Sequence, residues 1–414
     1  MIASNSFDCV VIGAGPAGCT AAALVAEQGF RVLLVDRDKL PRFHVGESLM
    51  PETYWSFKRL GILADLERIG FTRKNGVQFV NHNDKESDPF IFTEYDDRDC
   101  ALTWHVQRTE FDQLLWETAI KRGATCQDET RVIDVVIKGQ SPHTIEVSGP
   151  NGKPQTISAR VVVDATGQQA LLANKLGHKT VDPMLKKAAI WGYFEGAARN
   201  GGQTPEVTAI LHTNTKDAWF WYIPLSDGTV SVGLVGDNEF ILKGRGKPEK
   251  TFNEEVENCP GVGRRLQGSQ QVDRFYVAKE FSYSTKQHAG DGWVLVGDAY
   301  GFVDPIYSSG VFLALKSGEM AADAICGGLR RNDLSAEALG AWTYQFDEGV
   351  QWIRKLVNAF YVKEFSFGGF IKAHPEYRNN LTDLLIGRVF EGDPGAIFEQ
   401  LDPWIEELKV QKQA

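Results

Sequence analysis

Phe7-Asp8-Cys9-Val10-Val11-Ile12-Gly13-Ala14-Gly15-Pro16-Ala17-Gly18 brings a short apolar, β-branched run straight onto three glycines. An Ala-rich pattern of helical period continues to Gln28, and a second apolar run occupies Arg31 to Val35. This is strand, helix, strand at the length of one parallel crossover. The glycines are spaced G-x-G-x-x-G. The first allows a tight turn, the second lets the backbone approach a pyrophosphate, and the third lets helix pack on strand. The helix start at Pro16 and Ala17 turns its partial positive charge toward the phosphates. Asp36 follows about 20 residues on, where an acidic residue accepts from ribose hydroxyls. Gly13, Ala14, Gly15, Pro16, Ala17, Gly18, Asp36 and Arg37 are the expected dinucleotide contacts.

Beyond this unit, Pro51 to Leu66 reads as a helix and Gly76 to Val80 as a strand. Thr109 stands at an N-cap position, with Glu110 and Asp112 in the first turn of a helix to about Arg122. Thr144 to Val147 and Thr156 to Val163 read as strands about the turn Pro150-Asn151-Gly152. Lys187 to Val235 alternates apolar and polar residues, as a half-exposed antiparallel sheet would. A nucleotide-type strand returns at Gly292 to Asp298, with a helix from Gly310 to about Gly327. The tail from Ala336 is helical and aromatic. The expected fold is α/β: a discontinuous Rossmann-like domain over 1–75, 100–180 and 285–330, an inserted sheet domain over 76–99 and 181–284, and a helical C-terminal region over 331–414.

The chain has 414 residues, 43% of them hydrophobic, which allows a large core. A formal net charge of −10 gives a nucleic-acid role no electrostatic support. Nor does any Lys/Arg cluster mark an anionic membrane surface. Cys9, Cys19, Cys100, Cys126, Cys259 and Cys326 are scattered without a CxxC pair, which suits reduced thiols rather than disulfides or a metal site. No signal-peptide pattern or membrane-length apolar run is present. A cytoplasmic enzyme without metal, membrane or nucleic-acid partner is the expectation.

Val161-Val162-Val163-Asp164-Ala165-Thr166-Gly167 and Gly292-Trp293-Val294-Leu295-Val296-Gly297-Asp298-Ala299 carry the pattern further. With the glycine loop, in this order, they resemble the flavin-monooxygenase superfamily typified by para-hydroxybenzoate hydroxylase. The resemblance implies FAD. It places Gly297 and Asp298 at the ribityl or ribose region and Gly167, Gly310 and Val311 beside the cofactor, with Arg108 near the flavin. Arg42-Phe43-His44-Val45-Gly46-Glu47-Ser48 resembles the loop along the ribityl side, which adds Arg42 and Ser48. Taken alone, Arg42 and His44 read equally as a solvated loop, and Glu47 as a cap for the next helix.

Trp219-Phe220-Trp221-Tyr222-Ile223-Pro224 puts Trp219, Trp221 and Ile223 on one strand face, as core residues would be. Beside the three fingerprints, W-x-W-x-I-P resembles the signature of flavin-dependent halogenases, whose tryptophans keep organic substrate from the flavin while a small oxidised halogen passes. Lys74, by itself an exposed lysine before a strand, is similar to the essential lysine of that family. Its ammonium is implied to hold hypohalous acid or to form a haloamine. Ser309 and Gly310 match the positions that bind chloride or bromide. Tyr307 stands where tryptophan halogenases carry glutamate and where phenol and pyrrole halogenases, including those acting on carrier-tethered substrates, carry an aromatic. The resemblance spans roughly residues 7 to 330.

The implied reaction begins with FADH2 arriving by diffusion from a separate flavin reductase, since no second Rossmann unit is present to bind NAD(P)H. Dioxygen gives the flavin C4a-hydroperoxide, halide turns this into hypohalous acid, and the acid passes Trp219 and Trp221 to Lys74. An electron-rich phenol or pyrrole, free or on an acyl carrier protein, then loses a proton to a base, with Glu47 and Tyr307 as candidates. Three rivals stay open. A geranylgeranyl-reductase-like flavoenzyme shares the fingerprints, but its aromatic motif ends in Phe-Pro rather than Ile223-Pro224. An NAD(P)H-dependent aromatic monooxygenase would be obstructed by the two tryptophans. A flavin-binding protein without catalysis is the non-enzyme alternative.

Overall fold

The computed structural model describes residues 5–139, 142–199 and 206–413. Its strand Ser6–Ile12 lies between two parallel neighbours, Val32–Val35 and Pro154–Asp164, and Trp293–Leu295 continues the parallel set. The register aligns Ile12 with both Val35 and Asp164. The chain therefore leaves three adjacent strands at one edge, carrying Gly13, Asp36 and Ala165 to the crevice where open α/β sheets bind ligands. Residues 9–12, 32–35 and 161–164 are all buried, as their apolar runs require. Helix Pro16–Glu27 packs on both Arg108–Lys121 and Ser309–Arg331. Gly318 permits that approach, because a Cβ there would lie 2.6 Å from the Ala17 carbonyl oxygen.

Three local expectations are corrected. Pro51 to Leu66 is two helices, Thr53–Leu60 and Leu63–Ile69, because Gly61 adopts the left-handed conformation (φ +69°) that ends the first. The helix placed after Thr109 starts at Arg108, with Gln107 as an N-cap that makes no side-chain cap bond. The helix placed at Gly310 to Gly327 runs from Ser309 to Arg331.

A second eight-stranded sheet holds Lys187–Glu195, Thr229–Asp237, Ala218–Pro224 and Val207–His212 in adjacent antiparallel pairs. Val207–His212 then pairs parallel with Gly76–Val80. The expectation of a half-exposed sheet is overturned here: Ala218–Pro224 is buried at every position. Trp219, Trp221 and Ile223 pack toward the helical tail, while Ala218, Phe220 and Tyr222 pack against Phe252 and Val262. Both faces are covered, and the alternation that sorts side chains to two faces says nothing about what covers each. Among the described residues no helix is long and apolar enough to cross a membrane, and the six cysteines are unpaired.

Candidate active site

The parallel strand ends open into a cavity of about 440 Å³. At Gly13 (φ +105°) a Cβ would lie 2.3 Å from the Ala165 carbonyl oxygen, and at Gly18 one would lie 1.9 Å from that of Gly13. At Gly15 a Cβ would meet nothing within 4 Å, so this glycine keeps cavity space open. Helix Pro16–Glu27 has Gly15 as N-cap and no side chain capping it. Its first-turn N–H groups are thus available to an anion in the cavity. This uncapped helix start beside cleared space fits the diphosphate of FAD.

Asp36 Oδ2 accepts from Ala14 N (2.7 Å) and Arg42 Nη2 (3.2 Å), while Oδ1 accepts from Asp38 N (3.0 Å). Arg42 Nη1 also donates to Asp112 Oδ2 (3.3 Å). Asp112 in turn accepts from Arg108 Nε (2.8 Å) and Nη2 (3.0 Å), and Arg108 Nη1 donates to the Val45 carbonyl (2.6 Å). Arg42 therefore belongs to a buried ion-pair group and not to a solvated loop, whereas His44 is exposed. Arg37 is exposed at the rim, donating to Gln169 Oε1 (2.8 Å). Across the cavity, burial pushes the Asp298 carboxyl up to about 6 against the opposing pull of Arg108. Apart from Ala14 and Gly18, every residue expected to contact the cofactor borders this cavity.

The cavity's other end is aromatic, formed by Trp191, Trp219, Trp221, Ile210, Ile223 and Phe281. Trp221 lies over Gly233, where a Cβ would sit 2.1 Å from the indole, and its Nε1 donates to Ser231 Oγ (3.1 Å). Trp219 Nε1 donates to Tyr361 Oη (3.1 Å), and Tyr361 donates to Asp304 Oδ2 (2.9 Å). Burial pushes the Asp304 carboxyl up to about 7. Phe360 meets Trp219 edge-on, with ring centres 5.9 Å apart, so the tail aromatics reach the tryptophan wall.

The two suggested bases fare differently. Tyr307 is buried, donates to the Leu356 carbonyl (3.4 Å), and is held well above the ordinary phenol range by burial and by Asp304. That makes it a poor base. Glu47 caps no helix: it accepts from Tyr193 Oη (2.5 Å) and Gly46 N (3.1 Å), and burial raises its carboxyl.

Lys74 ends the short strand Thr72–Lys74, one residue before Gly76–Val80. It is 2% exposed, so the solvated-lysine reading does not hold. Its Nζ donates to the Leu49 carbonyl (2.8 Å) and stands 5.5 Å from the centre of the Phe92 ring. No ion pair to it is found among the described residues. A lysine this buried is almost always paired; here burial alone lowers its pKa to about 7. Lys74 does not border the main cavity, although Ser48, next to its partner Leu49, does. Ser309 borders a second cavity of about 380 Å³, and Gly310 borders both.

Sequence reasoning missed Trp191, Gly233, Asp304 and Tyr361, and also Thr208, His105 and Ser308, which join Ser48 in a hydrogen-bonded chain. Gly233 faces Trp221 across the antiparallel ladder, a register that no local pattern reveals. The others had no sequence signal.

The chain matches the tryptophan halogenase family over residues 8–98 and 92–365. It is 31% identical over 414 residues to a 1H-pyrrole-2-carbonyl-[peptidyl-carrier protein] chlorinase of Pseudomonas fluorescens, covering 94% of this chain and 91% of that one. It is 30% identical over 392 residues to the corresponding brominase of Pseudoalteromonas luteoviolacea, covering 94% and 93%. Among solved structures, a flavin-dependent brominase superposes with a TM-score of 0.87 at 27% identity, over 97% of this chain and all of that one (100%). The myxobacterial chondrochloren halogenase gives 0.82 at 28% identity, over 93% and 91%.

Proposed function

The chain belongs to the tryptophan halogenase family of flavin-dependent halogenases, and from that premise we propose that it halogenates a pyrrole or phenol ring tethered to an acyl carrier protein. The observation that carries this reading is Lys74, a buried amine with no acid partner among the described residues, bonded to Leu49, whose neighbour Ser48 borders the tryptophan-walled cavity. Relatives named for carrier-bound pyrrole, and Tyr307 in place of a carboxylate, favour the tethered ring over free tryptophan.

FAD, delivered reduced by a separate reductase and meeting dioxygen, supplies the oxidising equivalents that turn chloride or bromide into hypohalous acid. The glycine loop binds its diphosphate, and Asp36, Arg42 and Arg108 hold the surrounding wall. Ser309 and Gly310 bind halide through backbone N–H groups. Trp219 and Trp221, braced by Tyr361 and Ser231, exclude the organic ring from the flavin. Lys74 holds hypohalous acid by a hydrogen bond from Nζ, or its neutral amine takes the halogen. The unpaired thiols suit the cytoplasm.

The test is to incubate the protein with FAD, a flavin reductase, NADH, bromide and two substrates, a phenol panel and a pyrrolyl carrier protein. Bromide-dependent product, with the carrier form preferred, is the expected result. Halide-independent hydroxylation would make it a monooxygenase, and reduction of an isoprenoid would make it a reductase.

A further inference from the structure

We propose that His105 takes up the proton the aromatic ring sheds on halogenation, through a relay of three hydroxyls, Ser308, Ser48 and Thr208, that begins in the cavity. This rests on the halogenase reading and names a base in place of Tyr307, which burial keeps protonated.

The relay is continuous. Ser308 Oγ lies 3.0 Å from Ser48 Oγ, Ser48 Oγ lies 2.8 Å from Thr208 Oγ1, and Thr208 Oγ1 lies 2.9 Å from His105 Nε2. His105 Nδ1 lies 3.0 Å from the Pro224 carbonyl oxygen. The three hydroxyl residues border the cavity, and His105 is 0% exposed behind them.

Its direction follows from donor and acceptor inventories. A carbonyl only accepts, so Nδ1 of neutral His105 carries the hydrogen and Nε2 must accept from Thr208. Thr208 must then accept from Ser48, and Ser48 from Ser308. The Ser308 hydroxyl therefore gives its hydrogen inward and offers only lone pairs to the cavity. A site with that polarity receives a proton. A purely structural histidine would need no hydroxyl chain leading out to a cavity.

His105 also lies near Lys74, the residue to which the proposed function gives the halogen. Strand Thr72–Lys74 pairs antiparallel with Thr103–His105, matching Thr72 to His105 and Lys74 to Thr103. Lys74 and His105 thus share a face, while Arg73 lies over Trp104 on the other, 4.4 Å from the ring centre. The charged groups facing His105 are Lys74 and Arg199, the latter paired with Glu206. Burial and these two cations keep the imidazole neutral at rest, so its imidazolium is a short-lived, strongly acidic form that hands the proton on to the departing hydroxide.

The step balances. Hypohalous acid, X–OH, gives its halogen to a ring carbon, the X–O bond breaks, and hydroxide departs. The ring carbon loses its proton, one proton enters the relay at Ser308, each hydroxyl passes one proton inward, and His105 becomes imidazolium. Return of that proton to hydroxide gives water and restores the relay. In sum, Ar–H and X–OH become Ar–X and H2O.

Thr208→Val keeps the side-chain shape and removes the hydroxyl, whereas Thr208→Ser keeps the hydroxyl. FAD-loaded full-length protein is followed in single turnover with reduced FAD, bromide and a phenol, in H2O and in D2O, with escaped hypobromous acid trapped by monochlorodimedone. We expect Thr208→Val to shift the partition from ring bromination toward escaped hypobromous acid about a hundredfold and to abolish the solvent isotope effect on ring bromination. Thr208→Ser restores both. His105→Gln, which hydrogen-bonds but takes up no proton, should match Thr208→Val and serves if that variant fails to bind FAD. Wild-type partition and isotope effect in either FAD-bound variant would overturn the relay. A wild type that forms no hypobromous acid from bromide would overturn the halogenase reading instead.

Discussion

The two ends of the main cavity are held by different means. At the nucleotide end the backbone decides: Gly13 and Gly18 have no room for a Cβ, and Gly15 leaves room for a ligand. The charges there are matched, with Asp112 bound to both Arg42 and Arg108. At the aromatic end side chains from distant segments decide, with Gly233 beneath Trp221, Tyr361 on Trp219 and Leu49 on Lys74. Lys187 there pairs with Asp237, whereas the buried ammonium of Lys74 has a carbonyl partner and no acid among the described residues. A buried charge without its counter-charge is destabilising, and such strain persists where chemistry uses it. One end is therefore built for stability and binding, the other for reactivity.

Lys74→Ala attacks the reactive end alone. Halogenated product should fall about a thousandfold or more, while FAD affinity, read by flavin fluorescence titration, stays within about twofold. Loss of FAD binding as well would show that the two ends are not separable. Within the nucleotide end, Gly18→Ala should yield no folded holoprotein, because the added Cβ would sit 1.9 Å from a carbonyl oxygen. Gly15→Ala should melt within a few degrees of wild type by calorimetry and bind FAD at least about tenfold more weakly. Identical behaviour of these two variants would break the distinction between packing and ligand-clearing glycines.

Proton linkage sharpens the contrast in charge. Below pH 7 Lys74 is protonated in both folded and unfolded chains; between about 7 and its ordinary 10.5 only the unfolded chain holds the proton. Stability of the apoprotein should therefore rise with pH across that window, and Lys74→Met should remove the rise in melts at pH 7, 8.5 and 10. The smallest effect belongs to Asp304, whose carboxyl is raised from 3.8 to about 7 by burial, against bonds from Ile306 N and Tyr361. Its contribution is full below its ordinary range and lost as pH rises toward 7. Asp304→Asn should flatten that fall between pH 4 and 7 in the same melts.

Gly13 to Gly18 and Asp36 were legible because turn and helix-start geometry impose residue type at fixed local spacing, whatever packs around them. The shared face of Trp219, Trp221 and Ile223 was legible for a similar reason, since strand side chains alternate. The covering of that sheet on both faces, the break at Gly61, the ion pairs of Arg42 and the burial of Lys74 were not. They depend on contacts between segments far apart in the chain. The relay makes the point most plainly: Ser308 meets Ser48 across 260 positions, and Thr208 meets Ser48 across 160. By itself the sequence determined the nucleotide fold and a tryptophan face, both products of local backbone geometry, while FAD as the cofactor followed from the family its motifs resemble. Only the tertiary structure decided that Lys74 is a desolvated amine and His105 a neutral base behind a hydroxyl chain, because desolvation and hydrogen-bond polarity are set by what long-range packing brings together.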